Sequence, residues 1–121
     1  MLRFTVLEHH WNGVHWDFLL ENGAGLLTWA LTQEPEPKCV IQGKQLPDHR
    51  LVYLDYEGEI SGNRGHVLKW DWGEFEWSGR ESGYVGIKLV GRKLCGTAEL
   101  RRIDGDVWSF RFNANESIAS H

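Results

Sequence analysis

The chain has 121 residues, which is enough for one domain with one hydrophobic core. It is 41% hydrophobic and 12% aromatic, a composition that is typical of a globular protein and excludes a disordered one. The formal net charge is −4 and the pI is about 5.8, which argues against broad, non-specific binding to nucleic acid through a basic surface.

No apolar run approaches the length of a membrane span, so we expect no membrane location. The first residues lack a basic region followed by an apolar core, and we expect no signal peptide. The two cysteines, Cys39 and Cys95, do not have the spacing of a metal site. We expect them to be buried and reduced in a cytoplasmic protein, with a disulfide between them as the alternative.

Short strands separated by turn residues account for most of the pattern in the chain. Strands are predicted at 2–8, 15–21, 26–31, 51–56, 67–72, 74–78, 84–90, 95–102 and 107–112, with a further short strand at 39–41. The proline-rich segment 33–37 is predicted to be a loop, 46–50 a turn or short helical turn, and 58–65 a mobile glycine-rich loop.

The pattern contains no convincing amphipathic helix, so it predicts an all-β sandwich or barrel. We expect one domain over residues 1–113. The remaining residues, 114–121, have little to bury them and are predicted to form a frayed tail.

The residues 8–21 concentrate the side chains that carry chemistry. His15 and Asp17 alternate with large apolar residues, and this strand period places both on one face. Asn12-Gly13 is a strong hairpin signal, so the preceding strand is expected to fold back beside them. Two imidazoles and one carboxylate on a hairpin form a suitable site for a divalent metal with open coordination positions.

The register of this hairpin decides which histidine joins His15 and Asp17. A two-residue turn at Asn12-Gly13 would place His10 opposite His15 and would favour His10 as the additional ligand.

The spacing of these residues resembles that of the 3′-phosphoesterase domain found at the N-terminus of bacterial DNA ligase D. The resemblance rests on His9-x5-His15-x-Asp17-Phe18-x-Leu20-Glu21, Leu27-x-Trp29-Ala30, Asp48-His49-x-Leu51-x-Tyr53-x-Asp55-x-Glu57-Gly58-x-Ile60, Trp70-Asp71-x-Gly73, Gly91-x-Lys93-Leu94-x-Gly96 and Leu100-x-Arg102. The order and spacing of these motifs hold over most of the chain. The resemblance implies a small closed β-barrel of about eight antiparallel strands with little helix.

The resemblance also implies an activity and a set of site residues. It implies a metal-dependent phosphoesterase that removes a 3′-phosphate or a 3′-ribonucleotide from nucleic-acid ends in DNA repair. The metal ligands of the family match His9, His15 and Asp17, which would hold Mn²⁺ or another divalent metal, so the resemblance favours His9 over His10 and implies a wider hairpin loop. His49 and Tyr53 match active-site positions, the first to protonate the leaving oxygen and the second to orient the phosphate. A separate ligase or polymerase chain would supply the joining steps.

Phosphate binding is where the chain departs from the family. The family has an arginine two residues after the metal-binding aspartate, and this chain has Leu19 there. Phosphate chemistry needs cations on the non-bridging oxygens. Arg50 and Arg64 are the best placed substitutes, and Lys44 and Arg3 are the alternatives.

Two other functions remain open at this stage. If no cation replaces the missing arginine, the chain is a non-catalytic module that binds a metal or nucleic-acid ends. If the metal is iron, two histidines and one carboxylate also fit a non-haem iron oxygenase. Trp11, in the predicted hairpin loop, is the candidate for stacking on a nucleotide base.

Overall fold

Nine β-strands and one 3₁₀ helix make up the regular structure of residues 1–115, the part of the chain that the computed structural model describes. The strands are β1 (Leu2–His10), β2 (Val14–Asn22), β3 (Gly25–Leu31), β4 (Val40–Arg50), β5 (Gly58–Glu59), β6 (His66–Glu81), β7 (Tyr84–Gly91), β8 (Cys95–Asp104) and β9 (Val107–Ala114). The 3₁₀ helix spans Leu51–Leu54. Within this part of the chain there is no α-helix, and no helix is long and apolar enough to cross a membrane.

Eight of the strands close into an antiparallel barrel. The sheet runs β1-β2-β3-β4-β9-β8-β7-β6, and β1 also pairs with β6, which completes the circle. The two-residue strand β5 adds to the free edge at the start of β6. Closure removes the unpaired edges that a small open sheet would expose. The expected closed β-barrel of about eight antiparallel strands is therefore confirmed.

Alternation along the strands separates two apolar clusters. The larger one fills the barrel with aromatic and branched side chains, among them Phe4, Phe18, Trp29, Phe75, Ile87, Leu100 and Phe110. The smaller one comes from the opposite face of β1, β2 and β3 and is covered by the 3₁₀ helix; it contains Leu7, Leu19, Leu26, Leu54 and Val67. The chemistry-bearing residues of the first hairpin belong to this second, outer face.

The segment between β3 and β5 differs from the sequence prediction. Residues 46–50, predicted to be a turn, belong to β4, and residues 51–56, predicted to be a strand, begin with the 3₁₀ helix. The pairing of β3 with β4 shifts so that Pro47 and Asp48 both lie opposite Leu27, which is a β-bulge. A bulge tolerates proline because the missing N–H is not needed in the ladder. The hydroxyl of Thr5 donates to the carbonyl of Leu54 at 2.8 Å and ties the helix to β1.

β6 is a single 16-residue strand where two shorter strands were predicted. Within the barrel, its first half pairs with β1, the residues from Gly73 to Phe75 pair with both β1 and β7, and the residues from Glu76 onward pair with β7 alone. The buried carboxylate of Asp71 accepts backbone N–H groups from Arg92, Lys93 and Leu94 at 2.8, 3.1 and 2.8 Å. Within the family motifs, Asp71 therefore has a structural role, because it holds the β7–β8 turn.

Cys39 and Cys95 are both free thiols, and Cys95 is exposed, so the expectation that both are buried is wrong. Ala114 pairs with Gly96 at the end of β9. The rest of the predicted tail, from residue 116 onward, lies outside the described residues.

Candidate metal centre

The hairpin between β1 and β2 places His9 directly opposite His15. Its loop has three residues, Trp11 to Gly13, and Asn12 and Gly13 have positive φ angles of 53° and 105°. A loop of this length shifts the register by one residue from the two-residue turn that would have favoured His10. His10 faces away: its Nε2 lies 2.6 Å from Glu8, and its ring stacks on His66 with centroids 4.9 Å apart.

Potential ligand atoms of three residues meet on the outer face of this hairpin. His9 Nδ1 lies 3.1 Å from His15 Nε2, and His15 Nε2 lies 3.0 Å from Asp17 Oδ1. His9 Nδ1 is 3.4 Å from Asp17 Oδ2. Two ligands that each bind a divalent cation at about 2.1 Å lie roughly 3 to 3.5 Å apart. These three residues could therefore hold one metal ion.

The carboxylate of Asp17 fits a cation better than it fits its protein neighbours. Its side chain is only 4% exposed. No group in the described part of the chain reaches Oδ1 with hydrogen-bond geometry, although His15 Nε2 is close. A buried carboxylate oxygen without a partner is costly, whereas a bound divalent cation would satisfy it.

A backbone carbonyl orients the first ligand. His9 Nε2–H donates to the carbonyl oxygen of Arg64 at 2.9 Å. In the neutral imidazole this bond keeps the proton on Nε2 and leaves the Nδ1 lone pair facing His15 and Asp17. The carbonyl belongs to a turn, predicted as a mobile loop, in which Ile60 N–H donates to Gly65 O at 2.8 Å. The sequence could not predict this contact, because every residue has a backbone carbonyl and the residue type does not show which one will bind His9.

The cluster also shifts the acid–base behaviour of its members. The nearby carboxylate of Asp17 raises the pKa of His9, with a further contribution from the bond to the Arg64 carbonyl, against the opposing effect of burial. Burial alone would raise the pKa of Asp17, but the close imidazoles of His15 and His9 outweigh it, and the pKa of Asp17 is lowered. Asp17 is therefore ionised across the neutral range, while His9 binds a second proton more readily than a free imidazole does, on Nδ1, the atom that would bind a metal.

We expect the affinity for Mn²⁺ to fall as the pH is lowered through the raised pKa of His9, because proton and metal compete for Nδ1. The stability of the metal-free protein depends on pH in the opposite direction. The raised pKa of His9 stabilises the fold below its unfolded pKa of about 6.5, and this stabilisation is lost as the pH rises through the folded pKa. Calorimetric titration in buffers of different ionisation enthalpy measures the proton released on binding. Affinity that does not change across this range, with no proton release, would contradict the assignment of His9.

The cluster of three potential metal ligands, called the metal cluster below, lies at a cleft of about 280 Å³ on the outer face of the barrel. The cleft is lined by His9 and Asp17 together with the other residues chosen from the sequence: His49, Tyr53, Arg50 and Arg64. These residues come from β1, β2, the bulged end of β4, the 3₁₀ helix and the 60–65 turn. The structure therefore brings both arginines and both candidate catalytic residues to the metal cluster.

Local contacts orient the residues around the cleft. His49 Nδ1–H donates to the carbonyl of Pro47 at 3.1 Å, which leaves Nε2 as the ring atom available to a ligand. Arg64 Nε donates to the carbonyl of Ser61 at 2.8 Å. The guanidinium of Arg50 lies 5.8 Å from the ring centroid of Tyr53, within range of a cation–π contact.

The other cations considered from the sequence lie elsewhere. Lys44 is 3.9 Å from Asp106, and Arg3 forms an ion pair with Asp55. Neither is among the cleft-lining residues. Trp11 is 43% exposed and stacks on His9 with ring centroids 6.0 Å apart, so it borders the metal cluster.

Leu19 shares the face of His15 and Asp17, as its strand period predicts, but it does not line the cleft. It is fully buried beneath the 3₁₀ helix, in the cluster that contains Leu7, Leu26 and Leu54. An arginine that replaced it would compete with this helix for the same space.

We therefore expect Leu19→Arg to destabilise the protein by about 3 kcal/mol or more, because it buries an unpaired charge. Leu19→Met, which conserves volume, should cost less than about 1.5 kcal/mol. Urea denaturation of both variants measures the difference. A Leu19→Arg protein as stable as wild type would show that the helix yields and that this position does reach the cleft.

Comparison with known proteins agrees with this arrangement. The sequence model of the DNA Ligase D 3′-phosphoesterase domain matches residues 7–102. The multifunctional non-homologous end joining protein LigD of Pseudomonas aeruginosa is 34% identical over 114 residues, which cover 84% of this chain. The LigD proteins of Mycobacterium bovis and Mycobacterium tuberculosis are each 30% identical over 87% of this chain. The chain spans only 13% to 15% of the length of these relatives. This protein belongs to the DNA ligase D 3′-phosphoesterase domain family.

Proposed function

We propose that the chain is a metal-dependent phosphoesterase that removes a 3′-phosphate or a 3′-ribonucleotide from nucleic-acid ends during DNA repair. The observation that carries this proposal is that two of the three potential metal ligands, His9 and Asp17, line the same cleft as two arginines. Phosphate esters are recognised and activated by cations placed on their non-bridging oxygens. Membership of a family described by its 3′-phosphoesterase domain, and similarity to end-joining proteins, support the choice of substrate.

His9, His15 and Asp17 would hold the metal, which we propose is Mn²⁺. When bound, such an ion supplies Lewis-acid catalysis by polarising a phosphate oxygen and acidifying water. The chain's own contribution to the site is the oriented Nδ1 of His9 and a buried oxygen of Asp17 that has no hydrogen-bond partner among residues 1–115.

The remaining residues would act on the phosphate and on the leaving group. Arg50 and Arg64 stand beside the metal cluster and would neutralise the non-bridging oxygens, in place of the arginine that Leu19 replaces. His49 would donate a proton from Nε2 to the leaving oxygen, with its ring held by the Nδ1–H bond to Pro47. The hydroxyl of Tyr53 would orient the phosphate.

The burial of Leu19 favours a second candidate function. This chain has a buried leucine where the family has a phosphate-binding arginine, so phosphate binding would depend on Arg50 and Arg64 alone. A chain weakened in this way would bind a metal and a nucleic-acid end without turning it over. Iron content with consumption of dioxygen would instead favour the oxygenase alternative, since two histidines and one carboxylate fit both.

The test uses oligonucleotides that end in a 3′-phosphate or a 3′-ribonucleotide, incubated with the Mn²⁺-loaded protein. We expect His49→Gln to lower kcat by about 100-fold or more, the range of general acid catalysis, while the affinity for Mn²⁺ changes less than about twofold. The affinity measurement is the control, because His49 is not among the proposed ligands. If wild type binds these ends and hydrolyses neither, the binding-module function is correct.

A further inference from the structure

A second cavity of about 320 Å³ adjoins the cleft that holds the metal cluster. The two share Arg50, Tyr53 and Ser61 in their walls. The ring of Tyr53 stands between them: its centroid is 5.8 Å from His49, in the cleft, and 5.6 Å from Tyr56, in the second cavity. The two cavities therefore lie side by side at Tyr53.

The two cavities differ in chemistry. The cleft contains Arg64 in addition to the shared Arg50. The residues that belong to the second cavity alone are Val52, Tyr56 and Glu59. The carboxylate of Glu59 repels a phosphate, whereas the aliphatic side chain and the aromatic ring suit a flat, uncharged group with polar edges. Val52 is 55% exposed, so the cavity keeps an apolar surface open to a ligand.

The wall of the second cavity is fixed by its own backbone. The hydroxyl of Tyr56 donates to the carbonyl of Glu59. Between them Gly58 has a φ of +134°, and a Cβ there would lie 3.2 Å from the hydroxyl of Tyr56. The aromatic ring is thus held in place by a hydrogen bond across a turn that favours glycine.

We propose that the second cavity binds the terminal nucleoside whose 5′ oxygen is esterified to the phosphate in the cleft. This inference rests on the proposed function. A base can pack against Tyr56 and Val52, and Glu59 can accept a hydrogen bond from an amino group of the base or a hydroxyl of the ribose. A terminal nucleoside ends the strand, so a cavity at the lower end of the usual volume of small-molecule sites is sufficient for it. With this cavity, the protein would bind an end that carries a nucleoside beyond the phosphate in the cleft more tightly than an end that stops at a 3′-phosphate.

Equilibrium binding to the Mn²⁺-loaded protein tests the subsite without turnover. Adenosine 5′-monophosphate is compared with inorganic phosphate, and wild type should bind the nucleotide about tenfold more tightly, the contribution of one stacked base. Val52→Trp fills the cavity, and Tyr56→Leu removes its aromatic wall. Each should reduce this preference to less than about twofold while leaving the Kd for inorganic phosphate unchanged. Leu51→Trp is the matched control, since Leu51 lies on the same helix, is 38% exposed, and is not among the residues that line the cavity.

Three outcomes would overturn the subsite. They are equal binding of the two ligands by wild type, an unchanged preference in both cavity variants, and an equal loss in Leu51→Trp. Failure of the proposed function would give a different set of results. A protein with a nucleotide preference that Val52→Trp abolishes, but with no hydrolysis of either 3′ end, keeps the subsite and loses the phosphoesterase activity. A protein that hydrolyses 3′-phosphate ends but shows no nucleotide preference keeps the activity and loses the subsite.

Discussion

Replacing Asp17 by asparagine should lower the affinity for Mn²⁺ by a hundredfold or more. Asp17 is the only anion among the three ligand residues, and both of its oxygens face the histidines at 3.0 and 3.4 Å. The amide has the same shape but no charge, so the fold should persist while the electrostatic attraction for the cation is lost. Loss of a group that only orients a ligand already lowers metal affinity by about 10- to 100-fold, and loss of a charged ligand itself should exceed that.

Calorimetric titration of Asp17→Asn, His9→Ala and His10→Ala separates the ligand residues from their neighbours. His9→Ala should weaken binding as Asp17→Asn does, whereas His10→Ala should bind as wild type does because His10 contacts Glu8 and His66 instead. Loss of binding in His10→Ala alone would show that the hairpin adopts the other register in solution. Unchanged affinity in Asp17→Asn would exclude this cluster as the metal site.

In the first hairpin, residue patterns predict the face on which a side chain lies but not the pairing between the strands. Strand period placed His15 and Asp17 on one face correctly, because that period is fixed by the pleat. It could not choose between His9 and His10, since Asn12-Gly13 fits both a two-residue and a three-residue loop. A one-residue change in loop length turns every side chain of β1 to the other face. Family spacing favoured His9, and the observed pairing of His9 with His15 agrees with it.

The region from residue 46 to residue 56 was predicted less well, for a different reason. The segment Leu51-Val52-Tyr53-Leu54 consists of large residues that are typical of a strand. A segment of four residues is too short to distinguish a strand from one turn of helix. Its conformation depends on Thr5 and Leu19, which lie more than thirty residues earlier and provide the surface on which Leu54 packs. Such a tertiary contact is invisible to local patterns, and it also explains why Leu19 does not reach the cleft.

Gly65 lies in the turn that supplies the Arg64 carbonyl to His9, and its replacement by alanine should lower both the stability of the protein and its affinity for Mn²⁺. Its φ is +73°, and a Cβ there would lie 1.8 Å from the carbonyl oxygen of His10 and 2.8 Å from its carbonyl carbon. Both atoms are backbone, so the 60–65 turn must move away from β1. That movement takes the Arg64 carbonyl away from His9 Nε2. We expect Gly65→Ala to lower the affinity for Mn²⁺ by about 10- to 100-fold, the usual effect of losing a group that orients a ligand.

Gly62→Ala is the matched control for this prediction. Gly62 lies in the same turn with a φ of +79°, so an alanine there bears a similar backbone strain of about 1–2 kcal/mol. Its Cβ would approach only the side-chain Nε of Arg64, at 3.4 Å, and that flexible group can move aside. Both variants should therefore lose stability in urea denaturation, with the larger loss in Gly65→Ala, but only Gly65→Ala should lose metal affinity in the calorimeter. Equal affinities in the two variants would mean that the Arg64 carbonyl does not orient His9, because backbone strain alone would then account for everything that the substitutions do.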